Sequence, residues 1–165
     1  MAPSVLQTKI ELSTSKVSSL AYPYCNLESN WHVVVELFRT CRTVAPDNSS
    51  ISTSVGTSGR LDLYVNTSVK WGIEILCESD RLEDHILQFL PGGSYEKFKL
   101  CRWVIINFCR QYKDDSPLLN RQSKPRITKE VLSNVWHVVY SKDYNNLTIK
   151  RCDLPDTVLT LQGVI

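Results

Sequence analysis

The chain lacks several features that mark common protein classes. No apolar run approaches the ~18 residues of a membrane-spanning helix, and the N-terminal segment has no apolar centre of a signal peptide. No glycine-rich loop ends in Lys-Ser or Lys-Thr, which argues against a nucleoside-triphosphatase phosphate loop. The six cysteines form no Cys-x-x-Cys pair and show no zinc-like Cys/His spacing. Several lie in apolar runs, as free core thiols do, so we expect an intracellular, reducing location.

The composition is that of an ordinary folded domain. The chain has 165 residues, of which 42% are apolar and 22% are charged. This length suffices for a hydrophobic core that needs no disulfide or structural metal to hold it. We expect an irregular lead-in over residues 1–27 and a single domain over residues 28–165. The net charge of +2 favours no partner class, but nine basic residues fall between Lys97 and Lys129, against only Asp114 and Asp115. That basic segment is either a phosphate-facing surface or a solvated loop and strand edge.

The hydrophobic pattern predicts an α/β fold with a mixed central β-sheet flanked by helices. The predicted order is a helix, a strand pair, a helix, a buried strand and a second strand pair. Ser79 or Asp80 is a candidate N-cap of the second helix, and the turn residues KDYNN join the final strands. The stretches that carry these elements are ESNWHVVVELFRTCRTV, GRLDLYVNTSVKWGIEIL, ESDRLEDHILQFLPGG, RWVIINFC, VWHVVYS and LTIKRCDL.

The first strand pair, residues 59–76, contains two carboxylates in an otherwise apolar hairpin. If the hairpin turns about Ser68, every strongly apolar residue faces another across the pair, and a slip of one residue would destroy the match. The same register sets Asp62 across from Glu74 on the other face. The apolar pairs are Leu61 with Ile75, Leu63 with Ile73, and Val65 with Trp71.

Directly opposed like charges destabilise a sheet, so the pairing of Asp62 with Glu74 calls for a physical reason. One reading is a solvent-exposed face, or a nearby Lys or Arg that neutralises the two carboxylates. The other is a divalent cation between them, since two carboxylates, a backbone carbonyl and waters are ordinary ligands of Mg²⁺. Spacing alone leaves both readings open.

The sequence resembles the PD-(D/E)XK nuclease superfamily, in which an Asp on one strand is followed about a dozen residues later by a Glu on the next. More closely, it is similar to the C-terminal domain of some Crinkler-type effectors, across about residues 28–145. The resemblance implies a restriction-endonuclease-like fold and a Mg²⁺-dependent nuclease that acts on nucleic acid. It also implies a nuclear site of action if the protein is an effector. The matching stretches are WHVVVELFR, GRLDLYVN, WGIEIL and LEDHILQFLPGGSYEKF.

Residue by residue, the resemblance implies that Asp62 and Glu74 hold Mg²⁺, with the carbonyl of Ile75 as a further ligand. Glu36 occupies the position of the superfamily's helical acid. His85, on the helix after the Glu74 strand, is either a hydrogen-bonded core residue or a catalytic residue pointed at the metal.

The chain departs from the superfamily at the cation that stabilises the phosphate. The superfamily has Lys two residues after the Glu, where this chain has Leu76, and related domains often have Arg where this chain has Cys77. A substitute could come from Lys70, Lys97 or Lys99. The alternative function is therefore a catalytically inactive module that binds nucleic acid or protein. Tyr95 is expected to pack, with phosphate contact as the alternative, and His137 is expected to be structural.

Overall fold

The computed structural model describes residues 50–55, 61–66, 69–78, 80–142 and 145–160. The predicted first helix, which carries Glu36, and the lead-in over residues 1–27 lie outside these residues. The predicted helix and the predicted irregular lead-in are therefore not tested by the structure.

A seven-stranded mixed sheet organises the described chain, with its strands in sequence order from one edge to the other. The first three strands are antiparallel, the third, fourth and fifth are parallel, and the last three are antiparallel. The predicted α/β class and mixed sheet are confirmed. The strands are β1 (Ser50–Val55), β2 (Leu61–Asn66), β3 (Trp71–Cys77), β4 (Arg102–Cys109), β5 (Val135–Tyr140), β6 (Asn146–Arg151) and β7 (Leu154–Thr160).

The described helices are short and follow β3 and β4. They are α1 (Leu82–Phe89), α2 (Ser116–Leu119) and α3 (Lys129–Leu132), and a 3₁₀ turn spans Glu96–Phe98. The predicted cap at Asp80 is wrong, because α1 is capped at Arg81 and no side chain accepts a hydrogen bond there. None of the described helices is long and apolar enough to cross a membrane.

Four described elements, β1, α2, α3 and β7, were not predicted from the sequence. Helix α2 lies between the predicted buried strand and the second predicted strand pair, and Pro117 in its first turn fits a helix start, where a proline loses no hydrogen bond. Strand β7 contains Pro155, which normally argues against a strand. The proline is tolerated because β7 is the last strand of the sheet.

Each face of the sheet carries its own apolar core. The first core includes Leu63, Val65, Ile73, Ile75, Ile106 and Trp136. The second core, on the other face, includes Leu76, Leu82, Ile86, Ile105, Ile127 and Val135. Among the described residues, every helical side chain that takes part in either core belongs to the second core. Helix α1 therefore packs on the face that holds Leu76.

The four described cysteines are free. Cys109 is buried in the manner of a core thiol, whereas Cys101 and Cys152 are exposed. Cys25 and Cys41 lie outside the described residues.

Candidate functional site

The predicted register of the β2–β3 hairpin is confirmed at its centre, where Leu63 pairs with Ile73 and Val65 with Trp71. The main-chain ladder ends at the pair of Leu63 with Ile73. The prediction that Asp62 and Glu74 lie directly opposite each other in the ladder is therefore wrong. Asp62 Oδ2 instead accepts a hydrogen bond of 2.8 Å from the Ile75 amide. In a continued ladder, the Ile75 N–H would donate to a main-chain carbonyl of β2. The Asp62 carboxylate accepts this hydrogen bond instead, so a side chain replaces the main-chain contact at this point.

The loss of pairing also changes the surroundings of Leu61. Its predicted partner was Ile75, but its side chain comes within 3.3 Å of the position that a Cβ on Gly72 would take. Leu61 is fully buried there. The apolar pattern thus gave the correct burial of Leu61, whereas its predicted strand pairing with Ile75 does not form.

Glu74 lies on the sheet face that α1 covers. Its strand neighbours Ile73 and Ile75 both belong to the first core, so the alternation of β3 turns Glu74 towards the second. Glu74 is 4% exposed, and its Oε1 is hydrogen-bonded to Nδ1 of His85 on α1. His85 was expected to be either a hydrogen-bonded core residue or a catalytic residue, and the structure brings its ring to the Glu74 carboxylate.

Close packing of α1 explains how His85 reaches the strand. A Cβ on Gly72 would lie 2.6 Å from Leu100 Cδ1 and 3.1 Å from Phe89 Cε1, so the glycine admits both side chains against β3. Phe89 follows His85 by one helical turn, and Gly72 precedes Glu74 by two strand residues on the same face. The approach of Phe89 to Gly72 therefore sets His85 above Glu74.

Burial and neighbouring charge shift the ionisation of this cluster. Burial raises the pKa of Asp62 to about 6, the Ile75 hydrogen bond opposes that shift, and the charge of Glu74 adds to it. The pKa of His85 is raised, chiefly by its hydrogen bond to Glu74 and against the effect of burial. The charges of Asp62 and Glu74 are thus close enough to repel, as the hairpin pattern predicted.

Tyr95 also belongs to this cluster, although it was expected to pack, with phosphate contact as the alternative. Its side chain is 2% exposed. Its pKa is raised well above the ordinary value by burial first, then by the charges of Glu74 and Asp62, and by a hydrogen bond to Glu74. No local pattern marks this role, because Tyr95 reaches Glu74 only when the turn after α1 folds back to the sheet.

Glu74 retains one free acceptor. Its Oε2 is buried and has no hydrogen-bond partner in the part of the chain that the structure describes. A buried polar atom without a partner costs free energy and is commonly explained by an ion or water bound there. We call Asp62, Glu74, His85 and Tyr95 the acidic cluster.

Of the other predicted site residues, Lys97 lies in the described part of the chain and Glu36 lies outside it. Lys97 is exposed, with its Nζ 5.3 Å from the centre of the Phe98 ring. Leu76, in the superfamily's lysine position, is 6% exposed and packs in the second core. Among the described residues, His85 is the sole cationic side chain paired with Glu74, and none of Lys70, Lys97 and Lys99 forms an ion pair with either acid.

A cation at the acidic cluster would take few protein ligands. Within the described ranges, no group of three or more His, Cys, Asp and Glu side chains is arranged to hold a metal ion. The donors present are the free Glu74 oxygen and the Asp62 carboxylate. This set suits a hard cation such as Mg²⁺, which keeps several of its waters and binds through one or two carboxylates. It does not suit zinc, which needs three or four protein ligands.

The basic segment is more nearly neutral than its sequence suggests. Three of its nine cations are paired with acids that precede it in the chain, from the β3–α1 connection and the first turn of α1. The expectation that only Asp114 and Asp115 oppose these positive charges is therefore wrong for the folded chain. The ion pairs are Arg110 with Glu78, Lys113 with Asp80, and Arg121 with Glu83.

A second buried polar group lies further along the same sheet face. His137 Nε2 is 2.7 Å from Asp115 Oδ2, and its Nδ1 is 3.3 Å from Asn107 Nδ2. All three residues are buried. The contacts engage both ring nitrogens of His137 and tie β5 to the segment after β4, as expected of a structural histidine.

Comparison with protein-family models, with curated proteins and with solved structures finds no match. Function must therefore be inferred from the acidic cluster itself and from the resemblance of the sequence motifs.

Proposed function

We propose that this chain is a nuclease-like domain that binds Mg²⁺ through Asp62 and Glu74 and acts on nucleic acid phosphodiesters. The observation that carries the proposal is the free, buried Oε2 of Glu74 beside the Asp62 carboxylate. A second acid beside a buried one costs stability, so the stability of the hairpin does not account for the pair. A bound cation would relieve both the repulsion and the unpaired oxygen.

The residues of the acidic cluster then have distinct tasks. The bound cation would supply positive charge to the phosphodiester oxygens. Asp62 and Glu74 hold it, and the Ile75 amide fixes the orientation of Asp62. His85 and Tyr95 fix Glu74, and His85 balances its charge when no cation is bound. We further propose that Glu36 adds an acid to the site and that Lys97 contacts the nucleic acid outside it.

The strand order is compatible with a restriction-endonuclease-like fold, which we propose as the finer classification. The two acids lie on an antiparallel strand pair, a helix follows, and β4 then lies parallel to β3. This arrangement supports the motif resemblance, since it places an Asp and a Glu on adjacent strands beneath a helix. Helices on both faces of the sheet are part of the proposal.

A second candidate is a catalytically inactive module that binds nucleic acid or protein, in the manner of an effector domain. Leu76 favours it, because this side chain fills the second core where an active site of this superfamily needs an ammonium group. A lysine at position 76 would have to bury its charge among Leu82 and Ile86. The substitution Leu76→Lys is thus expected to destabilise the fold rather than to restore activity.

Cleavage of supercoiled plasmid and of single-stranded oligonucleotide distinguishes the two candidates. We expect wild-type protein to cleave in Mg²⁺ or Mn²⁺ and not in EDTA. Asp62→Asn and Glu74→Gln should each lower the rate at least ~100-fold, because even outer-shell partners of a metal typically contribute 10–100-fold. Asp84→Asn is the matched control, since Asp84 is an exposed acid of α1 paired with Arg81. No cleavage by wild type would leave the inactive module as the function, and equal rates in all variants would show that the cleavage does not depend on Asp62 and Glu74.

A further inference from the structure

A cavity of about 110 Å³ at the start of strands β3, β4 and β5 is lined by tryptophan and arginine. Trp71 and Trp136 pack against the first core, while Trp103 packs against the second. The cavity therefore lies where the two sheet faces meet, and it is distinct from the acidic cluster. The lining residues used below are Trp71, Arg102, Trp103, Asn134, Trp136 and Arg151.

Two guanidinium groups stack on the aromatic walls of this cavity. The Arg102 guanidinium lies 5.4 Å from the centre of the Trp71 ring, and that of Arg151 lies 5.0 Å from Trp136. Arg151 is already engaged by Asp153, with nitrogen–oxygen distances of 2.6 and 3.0 Å. Arg102 is exposed and forms no ion pair among the described residues. The cavity thus offers one uncompensated, flat cation beside an indole ring.

Asn134 adds a directional polar group. Its Nδ2 donates to the carbonyls of Glu130 and Val131 at 3.2 Å each, which ties its amide nitrogen to α3. The remaining polar atom of the side chain, Oδ1, is a hydrogen-bond acceptor. A ligand with an amino group on a flat ring would satisfy that acceptor.

We propose that this cavity binds a single unpaired nucleobase, with its backbone phosphate on Arg102. Flat aromatic and guanidinium surfaces are what unpaired bases stack on, and the free cation suits the phosphate. The volume lies far below the roughly 300–1,000 Å³ of a whole-ligand pocket, so it fits one ring of a longer strand. A duplex is excluded as the ligand, because its bases are stacked on each other. The proposal shares with the proposed function only its ligand class and needs no cleavage.

Fluorescence anisotropy with a labelled oligocytidylate of about eight nucleotides tests this site, in EDTA and at ~0.1 M salt. We expect Arg102→Gln to weaken binding about 10-fold or more, because it removes the cation that meets the phosphate and a flat group on the cavity wall, where stacking contributes about 1–3 kcal/mol per base. Arg102→Lys keeps the positive charge but removes the planar guanidinium, and we expect it to weaken binding as well. Arg126→Gln is the control, because it removes an equal exposed charge outside the cavity. Binding of the oligonucleotide should also quench tryptophan fluorescence in the wild type and in Arg126→Gln.

Two results would overturn the proposal. One is an equal loss of affinity in Arg102→Gln and Arg126→Gln, which means that only surface charge is read. The other is displacement of the oligonucleotide by polyglutamate as effectively as by unlabelled oligocytidylate. The binding assay contains EDTA, so its result does not depend on cleavage. If the protein binds the oligonucleotide here but never cleaves in Mg²⁺ or Mn²⁺, the proposed nuclease function is refuted and the base-binding site stands. Arg102 is exposed, so urea unfolding of its variants should match that of wild type.

Discussion

Asp62→Asn should stabilise the protein by about 3 kcal/mol at pH 8 and leave its stability nearly unchanged near pH 4. The pKa of Asp62 rises from 3.8 to about 6 on folding. That difference corresponds to about 3 kcal/mol of cost for the ionised form in the folded state. Asparagine removes the charge and keeps an oxygen that accepts the Ile75 amide hydrogen bond. The folded state therefore loses the cost without losing the contact.

The direction of the pH dependence follows from the same shift. Because the folded pKa of Asp62 lies above the unfolded pKa, the folded state holds the proton more tightly, and wild-type stability falls as the pH rises from about 4 to 6. His85 acts in the same direction at higher pH. Its raised pKa gives stability that is full below its unfolded value and is lost as the pH rises through its folded value.

Urea unfolding at intervals from pH 4 to pH 8 measures this prediction. The wild-type curve should decline with pH, and the Asp62→Asn curve should lose the part of the decline below about pH 6. Asp84→Asn, at an exposed acid, should run parallel to wild type. An Asp62→Asn protein that is less stable than wild type at pH 8 would show that the Asp62 charge supports the fold.

Mn²⁺ or Mg²⁺ should stabilise the wild-type protein by about 2.7 kcal/mol at a hundredfold excess over Kd. For a chain of this size, that energy raises Tm by roughly 5–10 °C. The effect should grow from pH 5 to pH 8, because the cation competes with protons on Asp62 and His85. Asp62→Asn and Glu74→Gln should lose the rise, and Asp84→Asn should keep it. Equal rises in all four proteins would place the cation elsewhere.

The sequence predicts the hairpin well, because one register pairs all its apolar residues and a slip reverses the faces. It also predicts α1 and β4, whose apolar stripes have the spacing of a helix and a buried strand. These are local regularities, and they bring Asp62 and Glu74 near each other, although the two do not form the directly opposed pair that the register predicts.

The details of the site depend on contacts that no local pattern encodes. Asp62 binds the Ile75 amide across the hairpin, where its side chain competes with the main chain. The ion pair of Lys113 with Asp80 joins residues 33 apart and neutralises part of a segment that looks uniformly basic. Tyr95 reaches Glu74 only through the fold of its turn. Each outcome is set by tertiary packing, which the spacing of residues does not report.

The most direct test of the acidic cluster as a cation site is Mn²⁺ binding followed by electron paramagnetic resonance at neutral pH. The signal of free aqueous Mn²⁺ falls as the ion binds, so the titration counts bound ions without any need for activity. The wild type and Asp84→Asn should bind one ion per chain, and Asp62→Asn and Glu74→Gln should bind none at the same concentrations. No Mn²⁺ binding by wild type, or undiminished binding by Asp62→Asn, would contradict the assignment of these carboxylates as metal ligands.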